Sequence, residues 1–238
     1  MKALNCPNCG AALPAPSLKE DIALCEYCGT SFRISKNLTP QPDLGNLILG
    51  ADFSQKHMPG WETVNEEMLS FHNGQTPELR GKFKPHGNSY NLLKSSGFMD
   101  NFDVSVSITF YSGEKERIHA GLFLRYDPAV GGYGVKISVQ GSYTFGYIAK
   151  DDEGQLSFFK IMPWAYHTAL RSGLNEPNRL RVICNGNSFR VYLNGVFATS
   201  FQDDRYKMGK IFLEADSTLK SSLELGFSNL QVREVPGL

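Results

Sequence analysis

Asp103-Val104-Ser105-Val106-Ser107-Ile108-Thr109-Phe110 alternates polar and apolar residues without a break. Successive side chains of a strand point to opposite faces, so this run predicts a strand with one buried face. Val135-Lys136-Ile137-Ser138-Val139 and Phe189-Arg190-Val191-Tyr192-Leu193 repeat the pattern. Asn185-Gly186 and Asn194-Gly195 fall between such runs and suit tight hairpin turns. They predict a three-strand meander over 179–184, 188–193 and 196–201. Further strands are expected at 68–72, 88–93, 119–126, 143–149, 156–161, 210–215 and 223–235. Roughly a dozen short strands with almost no helical periodicity predict a mainly β chain, an antiparallel sandwich of two sheets.

The 238 residues suffice for one large core and a small appendage. Hydrophobic residues at 41% and charged residues at 20% fit a globular chain rather than a disordered one. Lysine plus arginine number 24, as do aspartate plus glutamate, so no net field draws nucleic acid or an anionic membrane. No stretch approaches the ~18 apolar residues of a membrane span. The chain reaches its first cysteine at Cys6, which leaves no room for the apolar part of a leader. A cytoplasmic protein is expected.

Four cysteines add a second element. Cys6-Pro7-Asn8-Cys9 and Cys25-Glu26-Tyr27-Cys28 are two Cys-x-x-Cys turns spaced as in a zinc ribbon. One Zn2+ held by Cys6, Cys9, Cys25 and Cys28 is the expected cofactor, with iron or a redox thiol pair as alternatives. Gly10 and Gly29 follow the turns, where a positive φ lets backbone amides face sulfur. The bases Lys2, Lys19, Arg33 and Lys36 are offset by Glu20, Asp21, Glu26 and Asp43. Four thiolates and one Zn2+ then leave the module negative, which argues against nucleic acid. The expected organisation is a zinc ribbon over 1–36, a linker with Pro40 and Pro42 over 37–51, and a sandwich over 52–238. Cys184 ends an alternating run and reads as a small core residue.

The long segment carries a recognisable order of residues. Asp52-Phe53 and Gly60-Trp61 come first, then Phe102-Asp103, then Ala120-Gly121-Leu122-Phe123-Leu124-Arg125-Tyr126. Gly132-Tyr133, Trp164, Asn178 to Val182, Leu193-Asn194-Gly195, Met208-Gly209 and Phe227 to Val232 follow. This order resembles the concanavalin A-like lectin/glucanase jelly roll, and within it the laminin-G-like bacterial domains related to keto-disaccharide hydrolases. The resemblance implies a jelly roll that binds or cleaves carbohydrate.

Catalytic patterns are sparse. The acidic strand of the superfamily's glucanases, Glu-x-Asp-x-x-Glu, does not occur. Asp151-Asp152-Glu153-Gly154 reads as a turn. Gly74 to Lys82 lacks the spacing of a phosphate loop, and His57, His72, His86, His119 and His167 are scattered. Strand parity places Arg125, Lys136, Gln140 and Tyr147 opposite the core, where they are expected to line a concave sheet. Trp164, in the connection from 163 to 177, is expected to cap it. Each also has a plain structural reading: solvated charges, packed tyrosines, a loop-anchoring tryptophan. The resulting expectation is a non-catalytic recognition protein whose partner is a carbohydrate or a protein surface. The alternatives are a carbohydrate-active hydrolase of the keto-disaccharide type and an assembly component.

Overall fold

A computed structural model describes residues 6, 9–11, 22–33, 42–84, 89–114, 118–216 and 222–235. Seventeen strands occur among them. In chain order they are β1 (Ile22–Leu24), β2 (Ser31–Arg33), β3 (Leu47–Ala51), β4 (Trp61–Thr63), β5 (Leu69–His72), β6 (Glu78–Phe83) and β7 (Ser89–Ser95). The long strands follow: β8 (Phe102–Ser112), β9 (His119–Asp127), β10 (Gly131–Ser138), β11 (Ser142–Lys150) and β12 (Leu156–His167). The chain closes with β13 (Asn178–Asn185), β14 (Ser188–Leu193), β15 (Val196–Gln202), β16 (Lys210–Asp216) and β17 (Leu223–Arg233).

Two sheets pack face to face, as the alternation requires. One has the order β1-β2-β12-β11-β10-β9-β16-β7-β4, the other β15-β14-β13-β8-β17-β6-β5 with β3 beside β17. The strands of the sandwich pair antiparallel, and only β2 runs parallel to its neighbour β12. The apolar register of each strand meets in one core: Leu122, Val135, Phe145 and Leu213 face Val106, Val182, Val191 and Phe227. Fully burying such a side chain contributes about 1.5–3 kcal/mol. Tyr133 and Phe145 lie 4.6 and 5.6 Å from Phe189, joining the sheets through aromatic contacts. Cys184 is fully buried there, and burial pushes its thiol up to about 12, which makes it inert.

Asn194 and Gly195 have φ of 48° and 86°, and Gly186 has 56°, so both predicted hairpins form at these residues. Three elements depart from the sequence reading. β3 lies inside the segment read as linker and hydrogen-bonds to β17. β12 runs on through Pro163 to His167, so Trp164 sits on a strand and not in a long connection. At Arg125 the backbone turns left-handed (φ 48°), opposite a register shift between Gly131 and Tyr133. This bulge breaks the parity of β9.

Candidate functional site

The outer face of the nine-stranded sheet carries an unusual density of buried charge. Lys136 on β10 and Glu214 on β16 both pair with Gly121 of the strand between them. Gly121 has no side chain, so the lysine crosses over β9 to reach Glu214. A Cβ at position 121 would fall 1.9 Å from the Val135 carbonyl oxygen, so nothing larger fits. Lys136 Nζ lies 3.5 Å from Glu214 Oε2 and donates a short hydrogen bond to Asp216. Its other neighbours are the rings of Phe158 and Phe123, with centroids at 4.9 and 5.5 Å. Ser89 Oγ donates to Glu214 Oε2 at 2.8 Å. Glu214 Oε1 is buried and has no partner among the described residues, as does Oδ1 of Asn91, the residue paired with Glu214 across the strand.

Glu214 and Asp216 are two apart on β16 and so share this face. His119 is the cross-strand partner of Asp216, and Trp164 stacks on His119 with centroids 4.4 Å apart. Glu214 is completely covered, Lys136 almost so, and Asp216, His119 and Trp164 are half-buried. The solvent side of the cluster is therefore formed by Asp216, His119 and Trp164.

Burial pushes the Glu214 carboxyl up to about 7, and Asp216 adds to the rise while Lys136 and Ser89 oppose it. Burial pushes His119 down to about 4, against the pull of Asp216 and with the help of Lys136 and Lys160. Burial works against the charge of Lys136, but Glu214 and Asp216 outweigh it and hold its pKa above the usual lysine value. The face thus offers a fixed ammonium, a carboxylate near solvent, a neutral imidazole and a carboxyl that titrates near neutrality.

The residues singled out by parity separate. Lys136 and Trp164 belong to this face. Tyr147 does not: it packs against the core, stacked on Phe159 at 5.1 Å and under Arg205 at 4.2 Å. Gln140 sits in the turn between β10 and β11, where its Oε1 accepts from Tyr166 Oη at 3.3 Å. Arg125 is turned by its bulge toward the interior, 5.2 Å from the core ring of Phe189. Glu214 and Asp216 were missed, although Glu214-Ala215-Asp216 is the first part of the acidic strand pattern without its last member.

The cysteines converge as their spacing implies. The four sulfurs lie within 4.8 Å of one another and can hold one metal ion. The two turns share one geometry. Gly10 and Gly29 have φ of 75° and 68°, and each amide donates at 2.8 Å to the carbonyl of the first cysteine of its turn. Thr30, through its hydroxyl and then its amide, pulls the Cys28 thiol down to about 6. β2 pairs with β12 at Tyr166 and His167, and Tyr166 packs against Cys6 and Cys25. The cysteine cluster is therefore docked on the sheet two residues from Trp164.

Residues 50–233 match the family model of the 3-keto-alpha-glucoside-1,2-lyase-like domain. No curated protein matches the chain by sequence. Among solved structures, the carbohydrate binding module CBM66 from Bacillus subtilis is similar at 17% identity and TM-score 0.52, over 74% of this chain and 96% of that one. A Bacillus subtilis protein with a galectin-like fold matches at 10% identity and TM-score 0.58, over 82% and 98%. The Bacillus licheniformis β-glucanase matches at 11% identity and TM-score 0.55, over 81% and 100%. Such identities establish the jelly-roll fold alone. The family match overturns the expectation of a non-catalytic recognition protein. The alternative, a carbohydrate-active hydrolase of the keto-disaccharide type, fits better.

Proposed function

The chain belongs to the 3-keto-alpha-glucoside-1,2-lyase-like family, and we propose that its sandwich cleaves the glycosidic bond of a 3-keto sugar on the outer face of the nine-stranded sheet. The chemistry follows from the ketone. A C3 carbonyl acidifies the hydrogen on C2. Removing that proton places charge on the ketone oxygen. Its return forms the C1=C2 double bond as the C1–oxygen bond breaks, and the departing alkoxide takes a proton from water. Such a reaction needs a base at C2, a cation at the ketone oxygen and a surface that orients the ring.

The cluster supplies all three. Asp216, on the solvent side, is the base. Lys136, held between Asp216 and Glu214, is the cation. Trp164, braced by His119, is the platform. Glu214 takes up or releases a proton near neutral pH behind them. The observation that carries this reading is the buried lysine shared by two carboxylates, one of them with an unpaired oxygen. A buried polar network left incomplete costs stability and is kept for chemistry.

The test is release of p-nitrophenol from p-nitrophenyl α-glucoside oxidised at C3. Asp216→Asn should lower turnover by about 10²–10⁴-fold. No release by the wild type, or equal release by the variant, would overturn the assignment.

We also propose that the thiolate site holds zinc in a structural role, within a module over 1–36 that is distinct from the sandwich. A Zn–S bond of about 2.3 Å in a tetrahedron suits sulfurs packed this closely. Four protein ligands leave no open position for substrate.

A further inference from the structure

We infer that a cleft at one end of the sandwich binds a neutral pyranose through adjacent hydroxyls, separately from the outer-face cluster. The cleft holds about 390 Å³, and its lining includes Arg125, Asn187, Asp204, Lys207 and Met208. That volume falls within the range of small-ligand sites.

Arg125 is the central observation. It is 2% exposed and its backbone is left-handed. Its Nε donates to the Asp100 carbonyl at 2.7 Å and its Nη1 to the Tyr206 carbonyl at 3.1 Å. None of the ion pairs among the described residues includes it. A guanidinium has five N–H donors, so a buried cation here keeps donors beyond those its carbonyls use. Buried charges are ordinarily answered by an opposite charge. Gly209 lets the opposing loop press against this position, since a Cβ there would lie 2.2 Å from the Arg125 carbonyl carbon.

The surroundings define the ligand. Arg125 and Lys207 are balanced by Asp100 and Asp204, so the cleft has no net charge to recruit an anion. Asp100 already accepts from the Asn101 amide at 2.7 Å. Planar amide, carboxylate and guanidinium groups grip neighbouring hydroxyls with paired hydrogen bonds. Met208, next to the Met99–Gly209 bridge and 58% exposed, lines the cleft and offers apolar surface to the C–H face of a ring. β16 separates the cleft, at its Lys210 end, from Asp216 at its other end. Six residues of strand span about 20 Å. One sugar ring therefore cannot occupy both sites.

Isothermal titration of the full chain with methyl α-glucoside tests this without turnover, because that sugar lacks the C3 ketone. Saturable binding is expected, weakened at least about tenfold by Asp204→Ala and by Asn187→Ala, and unchanged in Asp216→Asn. Both cleft substitutions are on exposed residues, so folding is spared where Arg125→Ala would endanger it. Absence of binding overturns the proposal. So does tighter binding of glucuronate or inorganic phosphate, which would make the cleft an anion site. Loss of binding in Asp216→Asn alone would place the sugar on the outer face and overturn it too.

Discussion

Each sheet of the sandwich buries an ion pair on its outer face, and the two pairs are built in opposite ways. On the eight-stranded sheet, Arg181 grips Asp103 with Nε at 2.9 and 3.1 Å and Nη2 at 2.6 Å, and Nη2 also donates to the Pro42 carbonyl at 3.3 Å. One cation meets one carboxylate, and both oxygens are used. On the nine-stranded sheet, Lys136 serves two carboxylates and one oxygen is left over. The planar fork of arginine closes its pair, whereas the point charge of lysine leaves its cluster open. The closed pair is architecture. The open cluster is where an added proton finds a vacant acceptor.

The contrast is broken most directly by Asp103→Ala. Leaving Arg181 buried without its carboxylate should cost about 3–5 kcal/mol, read from urea unfolding. A cost below about 1 kcal/mol would mean that the pair is not structural. Glu214→Gln is the matching experiment on the other sheet. It should leave stability equal or higher, since it removes a poorly satisfied charge, while lowering turnover at least about 10²-fold. A strongly destabilised Glu214→Gln with normal turnover would reverse the two roles.

The pH dependence of stability sharpens the comparison. Glu214 titrates higher in the folded chain than its ordinary value of 4.5, so its stabilising effect is complete below that value and disappears as pH rises to about 7. His119 titrates lower, about 4 against 6.5, so its contribution is present above 6.5 and disappears as pH falls to about 4. The two slopes oppose each other between about 4.5 and 6.5, and the wild-type curve there should be shallow. Glu214→Gln should expose a stability that rises with pH, and His119→Ala one that falls. Unchanged slopes in both would refute the titrations.

The smallest effect on the sandwich is expected from the thiolates. Elemental analysis should give about one zinc per wild-type chain and none in Cys25→Ser. The substitution should shift the melting of the sandwich by no more than about 0.5 kcal/mol while altering Trp164 fluorescence through β12.

Much of this fold was legible in local pattern. β8 alternates along its length, and Asn194-Gly195 forms the turn that its residues demand. What escaped depends on non-local geometry. Pro163 reads as a strand breaker, yet β12 passes through it, with shifts of register against β11 nearby. Arg125 has outward parity, and only the bulge against β10 turns it inward. The buried charge cluster joins β9, β10 and β16, with Lys136 and Glu214 nearly eighty residues apart in sequence, and no local window contains it. The trace that sequence did hold was Glu214-x-Asp216, two acids on one strand face.

Phe158 rests where side chains are missing beneath it. A Cβ at Gly134 would come 2.8 Å from its Cε2, and one at Gly146 would come 2.7 Å from its Cζ. The ring is thus seated on bare backbone, as a tile on a prepared bed, with Lys136 beside it. At position 134 the nearest obstacles are the rings of Phe158 and Phe123. An alanine there would lift the tile and widen the approach to the ammonium. On the proposed reading, one methyl group at position 134 would change which glycosides the face accepts without altering a single charged residue.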